Sequence, residues 1–378
     1  MSNKNALVVG GGIGGLSAAI GLRRQGIAVD LVELNRAWTV YHVGIIIQAN
    51  VIRALKELGV ADEAVAVGFP YSGFEIQNGH GQTLMREYGP KLAGEEYPTD
   101  LGMARPALHE VLTNAARLNG VDVRLGVTFD SLTDHGDAVE VSFTDGSRSR
   151  YDLVVGADGV YSKVRQTIFP DAPKPVFTGQ GVWRYNLPRP ADINHTVMMD
   201  GMGEGIVGGK AGYVPLTPET MYILYVGAEP GNPRHDAGKL AELFRERLAP
   251  FGGRIPEFAQ QITDPEAVVY RPLEAVLVPP PWYRGRIVLI GDAAHATTPH
   301  LGQGAAQAIE DAVVLAELAG GTDDVPTFLE RFMQRRFERT RFIWESSLQI
   351  GEWEQRPVPG ANAGQLMKKM LEVVSAPL

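Results

Sequence analysis

The chain has 378 residues, of which 44% are hydrophobic and none is cysteine, and its net charge is −9. This length allows a large core and about two domains, and the lack of cysteine excludes disulfides, thiolate metal sites and cysteine nucleophiles. The acidic balance argues against a general affinity for nucleic acid. The uncharged stretch 5–22 is interrupted by glycines and lacks a cleavage signal, so we expect a cytoplasmic protein without a membrane segment.

The first segment has the pattern of a strand, a helix and a second strand. Residues 6–9 are apolar, the turn GGGIGG follows, and the helical residues 16–26 lead to a strand over 27–33. Strands and helices in this order build a βαβ unit with parallel strands. We therefore expect a Rossmann-like α/β domain at the start of the chain.

The turn in this unit carries a dinucleotide fingerprint, Gly10-x-Gly12-x-x-Gly15, which is followed by Glu33. Gly10 permits a tight turn, Gly12 lets the backbone approach a pyrophosphate, and Gly15 lets the helix pack on the strand. The helix N-terminus would direct free N–H groups and its positive end toward the phosphates, and Ile13, within the turn, is a further candidate contact to the cofactor. Glu33 can accept hydrogen bonds from a ribose diol.

A second copy of the glycine pattern, Gly203-x-Gly205-x-x-Gly208, has a different context. No apolar strand leads into it, and the sequence GKAGYVPLTP that follows its last glycine cannot open a helix. We interpret this copy as a loop or hairpin that binds no nucleotide.

The middle of the chain changes character. Residues 121–155 read as short strands with a hairpin turn at Asp145-Gly146, and residues 175–275 combine frequent proline, aromatic residues and strand-like alternation. The second stretch predicts a mostly antiparallel sheet inserted into the nucleotide-binding domain. A terminal helix is expected over residues 325–350.

A second motif, YDLVVGADGVYSKVR, occupies residues 151–165. A buried strand runs into Asp158-Gly159, and Lys163 and Arg165 follow. Taken alone, this motif predicts a strand, a turn and a solvated basic helix end.

The third motif is VLIGDAAHATTPHLGQG, residues 288–304. Asp292 ends a strand and can bind a ribityl hydroxyl or a pyrophosphate. Gly302, Gly304 and Ala305 can bring backbone N–H groups close to a flat ring, and a helix that begins near Ala305 would direct its positive end at that ring. Such a helix terminus stabilises the negative charge of a reduced flavin.

Together, the three motifs resemble those of the FAD-dependent aromatic hydroxylases, the single-component flavoprotein monooxygenases of the p-hydroxybenzoate hydroxylase type. The resemblance extends from Ala6 to about residue 345, and the subgroup it suggests contains salicylate, hydroxynicotinate and urate hydroxylases. It implies FAD contacts from Arg105 and Gln48, and a backbone contact near Val127 to the adenine.

The resemblance implies an α/β fold in which a Rossmann-like FAD-binding domain contains an inserted, mostly antiparallel substrate domain and is followed by a C-terminal helix. The expected segments are 1–70, 101–174 and 276–324 for the FAD-binding domain, 71–100 and 175–275 for the substrate domain, and 325–378 for the C-terminal helical segment. The first glycine turn would hold the FAD pyrophosphate, and the late turn its ribityl chain and flavin ring.

The implied reaction is the hydroxylation of a small aromatic or heteroaromatic ring, such as a phenol or a hydroxypyridine. NADH or NADPH reduces FAD, O₂ adds to give a flavin C4a-hydroperoxide, and one oxygen atom passes to the ring. Only one competent fingerprint is present, so NAD(P)H would dock transiently near FAD. The expected assembly is a monomer or a homodimer.

The residue after the proline of TTP lies near the reactive edge of the flavin in this family, and here it is His300. Urate-type members carry an acid there, and hydroxypyridine-type members can carry histidine. Because histidine titrates near neutral pH, His300 is the candidate base for a phenolic proton, and a solvent-exposed loop histidine is the alternative. His295 has the character of a structural residue, and the two histidines lack a third ligand for a metal.

Tyr213 and Tyr222 lie in the region expected to cover the flavin, and Tyr222 matches a pocket tyrosine of several relatives; core tyrosines are the alternative. Trp183 and Arg184 either line the substrate pocket or contribute to the packing of the sheet, and the packing role is favoured.

Two other functions stay open: an FAD-dependent oxidase or reductase, and a non-catalytic protein similar to the dissociation inhibitors. The complete cofactor motifs argue against the second. A flavin halogenase is disfavoured, since no Trp-x-Trp-x-Ile-Pro stretch is present.

Overall fold

The computed structural model describes residues 4–40, 42–200, 209–322 and 324–378, so the glycine pattern at Gly203, Gly205 and Gly208 lies outside the described residues. Within these ranges the strands are β1 (Asn5–Val9), β2 (Ala28–Glu33), β3 (Gly44–Gln48), β4 (Phe69–Tyr71), β5 (Phe74–Asn78), β6 (Thr83–Glu87), β7 (Asp100–Ala104), β8 (Asp122–Leu125), β9 (Phe129–Asp134), β10 (Val139–Phe143), β11 (Arg148–Tyr151), β12 (Leu153–Gly156), β13 (Val176–Pro188), β14 (Thr196–Asp200), β15 (Gly209–Pro215), β16 (Thr220–Ala228), β17 (Val269–Ala275), β18 (Tyr283–Arg284) and β19 (Ile287–Leu289). The helices are α1 (Ile13–Arg24), α2 (Ala49–Glu57), α3 (Ala61–Val67), α4 (Arg105–Leu118), α5 (Lys163–Ile168), α6 (Leu240–Leu248), α7 (Ile255–Ala259), α8 (Asp292–His295), α9 (Gly304–Gly321), α10 (Val325–Gln355) and α11 (Ala363–Ser375).

A six-stranded sheet with the order β18-β19-β12-β1-β2-β8 forms the first layer. All neighbouring strands in it are parallel except β18, which pairs antiparallel with β19. The strands β1 and β12 are almost continuously apolar and buried, which is typical of a parallel sheet that helices cover on both faces. The Rossmann-like domain predicted from the sequence is therefore confirmed.

Helix α9 completes this domain by packing against α1, although about 290 residues separate the starts of the two helices. Small residues allow this close approach: a Cβ atom at Gly21 would lie 2.8 Å from the Cβ of Ala316, and one at Gly14 would lie 3.2 Å from the Cβ of Ala308. The first and the last motif are thus brought side by side.

A seven-stranded sheet with the order β17-β13-β16-β15-β14-β5-β6 forms the second layer. It is antiparallel except for the parallel pair of β14 with β5, which confirms the predicted inserted sheet. Because side chains alternate along a strand, the sheet has two faces. Trp183 and Tyr213 belong to the outer face, which packs on α6 and α7, and Val182 and Tyr222 belong to the inner face, which packs on Ile46 of β3.

Helices α3, α6, α7, α8 and α11 were not expected from the sequence. Helices α6 and α7 cover the outer face of the sheet, and α11 packs on α10, which itself extends to Gln355. The remaining strands form two three-stranded sheets, β11-β10-β9 and β3-β7-β4. In the described ranges, every helix is too short or too polar to span a bilayer.

Candidate active site

The first glycine turn leaves open space at one of its three glycines. Gly10 has a φ of +108°, and a Cβ atom there would lie 2.4 Å from the carbonyl oxygen of Ala157. A Cβ at Gly15 would lie 1.9 Å from the oxygen of Gly10, whereas one at Gly12 would meet nothing within 4 Å. Since α1 begins after Gly12 without a side-chain cap, its free N–H groups face this space. The turn fits a pyrophosphate.

Glu33 ends β2 beside this turn. Its carboxylate accepts hydrogen bonds from the backbone N–H groups of Gly11 (2.7 Å) and Asn35 (2.7 Å), and each oxygen keeps a further acceptor site. Its carbonyl oxygen accepts from Gly126 (2.7 Å) and from Val127 (3.2 Å). The Val127 N–H is therefore occupied, so any backbone contact of this residue to an adenine would use its carbonyl oxygen.

Two side chains that the sequence analysis missed fix the carbonyl oxygen of Gly11. The Nε1–H of Trp38 donates to it over 2.8 Å, and Nε2 of His109 lies 2.9 Å from it. The two rings meet edge to face with 5.4 Å between their centroids. No local pattern in the sequence signals this contact, because His109 lies on α4, 98 residues from Gly11.

The late turn is built around two glycines in the left-handed region. Gly291 has a φ of +57° and donates its N–H to Asp311 over 2.9 Å, and Gly302 has a φ of +66°. Asp292, between them, is exposed and has no hydrogen-bond partner among the described residues. Helix α9 begins at Gly304 without a side-chain cap. A free carboxylate beside an uncapped helix start fits the ribityl hydroxyls and the pyrimidine edge of a flavin.

Gln48, which contacts this turn, and Arg105, which follows the strand paired with β3, differ in how firmly their side chains are held. The Gln48 amide donates to the carbonyl oxygen of Leu301 over 3.0 Å and accepts from Gln303 over 2.5 Å. The Arg105 side chain, at the start of α4, has no hydrogen bond or ion pair within the described part of the chain. The Gln48 amide is thus held by these two hydrogen bonds before a cofactor binds, whereas the Arg105 guanidinium is available to bind a cofactor.

The second motif joins the two turns. Asp158 accepts from the N–H groups of Lys163 (2.7 Å) and Val164 (3.0 Å) and so caps α5. Arg165 is 2% exposed and donates to the carbonyl oxygens of Val160 (2.7 Å) and Ala293 (2.9 Å). The expectation of a solvated basic helix end is therefore wrong for Arg165, which is buried and tied to the late turn.

His295 is likewise a buried structural residue. Its Nε2 atom lies 2.6 Å from Asp311, whose other oxygen accepts from Arg336 over 2.7 Å. Burial would raise the pKa of Asp311, but the charges of His295 and Arg336 outweigh burial and lower it. This ion pair anchors α10 to the late turn.

His300 is enclosed, not exposed on a loop. Its Nδ1 atom lies 2.8 Å from the hydroxyl of Thr298, its Nε2 atom lies 3.1 Å from Glu354 of α10, and its side chain is 0% exposed. Because both ring nitrogens have partners, the structure corrects the expectation that this side chain reaches a substrate directly. Burial lowers the pKa of His300, which keeps the ring neutral near pH 7.

The partner of His300 belongs to a buried charge cluster at one end of the inner face. Glu354 accepts from Lys210 of β15 (2.9 Å) and from the amide of Gln180 on β13 (3.0 Å). Burial would raise the pKa of Glu354, but Lys210 and His300 outweigh it and hold the pKa well below its usual range. As an ionised carboxylate can only accept, the Nε2 of His300 carries the proton, and Nδ1 presents a lone pair to Thr298.

Thr298 also lines a cavity of about 500 Å³ between α10 and the edge of the seven-stranded sheet. Its walls are largely apolar and include Phe177, Leu277, Trp344 and Leu348. This volume falls in the range of small-molecule sites, roughly 300–1,000 Å³. The cavity therefore offers an apolar space whose wall contains a hydroxyl bonded to a neutral histidine.

The two predicted tyrosines lie on opposite faces of the sheet. Tyr222 is on the inner face, where its ring fills the space beside Gly44 of β3, and burial raises its pKa. Tyr213 is on the outer face, with its ring centroid 5.1 Å from that of Phe258. The expectation that both cover the flavin is therefore corrected for Tyr213, because a strand directs its successive side chains to alternate faces.

Trp183 and Arg184 likewise lie on opposite faces of the sheet. Trp183 is buried in the outer face and donates its Nε1–H to Glu229 over 2.8 Å, as expected of a packing residue. Arg184 is on the inner face, because it pairs with Leu224 of β16.

Comparisons with known proteins agree with this geometry. The model of the FAD binding domain family matches residues 3–320. The chain is 30% identical to the aurachin C monooxygenase/isomerase of Stigmatella aurantiaca, covering 98% of this chain and 94% of that protein. It is 32% identical to the 2-heptyl-3-hydroxy-4(1H)-quinolone synthase of Pseudomonas aeruginosa, with 96% and 97% covered. The structure of Klebsiella pneumoniae HpxO with FAD and uric acid shares the fold, with a TM-score of 0.85 at 23% identity over 99% and 97% of the two chains.

Proposed function

The chain belongs to the FAD binding domain family and is an FAD-dependent monooxygenase of the aromatic hydroxylase type, and from this premise we propose its reaction. It inserts one oxygen atom into a small aromatic or heteroaromatic ring that carries a hydroxyl group. The observation that carries this proposal is the apolar cavity whose wall holds Thr298, since this hydroxyl contacts His300 within the late cofactor turn.

FAD would be held by the two glycine turns, with Glu33 at the ribose, Asp292 at the ribityl chain and Arg105 at a phosphate. Bound FAD supplies the redox chemistry, which is the acceptance of a hydride from NADH or NADPH and the activation of O₂. The dinucleotide reductant docks transiently, because the described chain has one competent fingerprint.

The protein's own contribution is the removal of the ring's hydroxyl proton. The substrate hydroxyl donates to Oγ1 of Thr298, while the Thr298 proton passes to Nδ1 of His300. The products are an electron-rich ring oxyanion and an imidazolium. Glu354 stabilises the imidazolium through its contact with Nε2, and the burial of the His300 side chain keeps water from this contact. His300 is thus a base that acts through Thr298.

The test is a substrate screen with the purified holoenzyme under ¹⁸O₂, using hydroxybenzoates, hydroxypyridines and hydroxyquinolines. We expect one compound to accelerate NADH or NADPH oxidation and to gain one ¹⁸O atom by mass. Accelerated oxidation that yields only H₂O₂ across the panel would assign an oxidase or reductase. A colourless protein that does not take up added FAD would assign a non-catalytic role.

A further inference from the structure

Gly11, in the middle of the first glycine turn, is held at both of its peptide groups. Its N–H donates to Glu33 over 2.7 Å, and its carbonyl oxygen lies 2.8 Å from Nε1 of Trp38 and 2.9 Å from Nε2 of His109. A carbonyl oxygen accepts two hydrogen bonds and donates none, so the Nε2 atom of His109 carries the proton. Both acceptor sites of this oxygen are therefore filled by side chains from outside the turn.

The contacts to this oxygen fix the direction of the next N–H group. The oxygen of Gly11 and the N–H of Gly12 belong to one planar trans peptide, so they point in opposite directions. The Gly12 N–H has no hydrogen-bond partner in the described part of the chain, and a Cβ atom on Gly12 would meet nothing within 4 Å. This free donor is thus held away from Trp38 and His109, beside the space that fits a pyrophosphate.

Trp38 has a backbone conformation that bulky residues avoid. Its φ is +48°, in the left-handed region, and among the described residues other than glycine only Asn232 has a similar value, which asparagine tolerates. The N–H of Trp38 donates to the carbonyl oxygen of Asn35 over 3.1 Å, and the N–H of Asn35 donates to Glu33 over 2.7 Å. The carboxylate that holds Gly11 therefore also holds the segment that enforces this strain. Strained residues of this kind are concentrated at functional sites.

Helix α4 supports both donors. It carries His109, which is 7% exposed and whose ring meets the Trp38 ring edge to face, with 5.4 Å between the centroids. It also carries Arg117, whose guanidinium carbon lies 5.6 Å from the centroid of the Trp38 ring. The indole is therefore fixed from two positions on one helix, and this helix packs against α1.

We infer that Trp38 and His109 are positioning residues for FAD, because they orient the Gly11–Gly12 peptide so that its N–H meets the pyrophosphate. The inference deepens the proposed function at its cofactor site and rests on FAD binding there. An oxygen that accepts two hydrogen bonds also polarises its peptide, which makes the Gly12 N–H a stronger donor. Both side chains act through the backbone, without a contact of their own to the phosphate.

The test measures FAD binding to the apoprotein of Trp38→Phe, of His109→Leu and of the double variant, from the change in flavin fluorescence. Each single variant should bind FAD roughly 3–10-fold more weakly, and the double variant at least about 30-fold more weakly, since no donor then holds the oxygen. The amide of His109→Gln can replace the Nε2–H donor, so this variant should bind FAD within about twofold of the parent. An unchanged affinity in the double variant would overturn the inference.

Competition with FAD by ADP and by adenosine separates positioning from direct contact. The two probes share the nucleoside, but only ADP has a diphosphate. The double variant should lose affinity for ADP, whereas its affinity for adenosine should equal that of the parent. An equal loss for both probes would show that the two side chains contact the nucleoside, and the inference would be wrong.

The matched control is Trp183→Phe, which removes an indole N–H that donates to Glu229 on the outer face of the seven-stranded sheet. This variant should unfold at lower urea concentration than the parent but bind FAD with the same affinity. If it weakened FAD binding as much as Trp38→Phe does, the loss would reflect general destabilisation and would contradict the inference. A parent apoprotein that binds no FAD would instead overturn the proposed function, and the inference with it.

Discussion

On the outer face of the seven-stranded sheet, Glu229 is 1% exposed and accepts hydrogen bonds from Trp183, His235 and Arg247. On the inner face, a few residues along the same pair of strands, the half-buried Arg184 side chain has no such partner among the described residues, and its Nε atom is buried without a hydrogen bond. The Glu229 carboxylate is thus satisfied by three side chains, whereas the Arg184 guanidinium, on the opposite face, is not paired with a described carboxylate. The comparison teaches that one sheet carries both a paired and an unpaired charge, and that the stability of the fold rests on the paired one at Glu229.

The largest effect we expect comes from the inner face, where His300→Ala should slow hydroxylation by about 10²–10⁴-fold, the usual contribution of a general base. FAD content should stay near that of the parent, and more reductant should end as H₂O₂. The measurement is stopped-flow product formation with the substrate found by the screen. Thr298→Val should match this loss and Thr298→Ser should restore activity; unchanged rates and coupling in His300→Ala would remove the histidine from the mechanism.

The same relay predicts the pH dependence. A neutral His300 is required, and burial lowers its pKa from the usual 6.5. The acid limb of the rate profile should therefore fall below pH 6.5, and the rate should be independent of this group above it. A limb above pH 6.5 that vanishes in Thr298→Val would contradict the assignment.

A substitution on the outer face should instead change the free energy of unfolding. Glu229→Ala leaves Arg247 and His235 without their shared carboxylate and should lower the free energy of unfolding by about 3–5 kcal/mol, as for other broken buried ion pairs. Arg184→Gln, by contrast, should not lower it in the absence of ligand. The free energy of unfolding of both variants is measured by urea denaturation. The prediction is contradicted if Arg184→Gln is destabilised while Glu229→Ala is as stable as the parent.

Acid unfolding extends the same contrast to Glu75, a second satisfied carboxylate of the outer face. Burial would raise its pKa, but hydrogen bonds from Gln77, Thr83 and Arg86 lower it from 4.5 to about 2. The stabilisation is therefore complete above pH 4.5 and is lost as the pH falls toward 2. Glu75→Gln should remove roughly 1–3 kcal/mol of this pH dependence, measured as unfolding free energy at pH 3 and pH 6.

The smallest effect should come from Tyr213→Phe. The hydroxyl of Tyr213 has no hydrogen bond to any described residue, and the ring contact with Phe258 survives the change. The free energy of unfolding should shift by less than about 0.5 kcal/mol, and the affinity for the substrate found by the screen should not change. Weaker binding by this variant would place Tyr213 in the site after all.

The sequence predicts those parts of the site that are local in the chain. The first turn could be recognised because Gly10, Gly12 and Gly15 act within one strand–helix junction, where spacing reflects geometry. The sequence does not reveal contacts between residues that are distant in the chain. The link between His300 and Glu354 spans 54 residues and has no local pattern. Tyr213 was misplaced because a one-residue difference in register moves a side chain to the other face.

The packing of α9 on α1 has a consequence for biosynthesis. The ribosome releases the fingerprint at Gly10–Gly15 first, but the helix that flanks it ends only at Gly321. Strand β19, which extends the parallel sheet, is also made late. A nascent chain that is missing these residues presents half of a cofactor cradle and exposes the apolar surface of α1. A complete cradle for FAD therefore forms only after synthesis has passed Gly321, and until then the exposed apolar surface of α1 is open to aggregation.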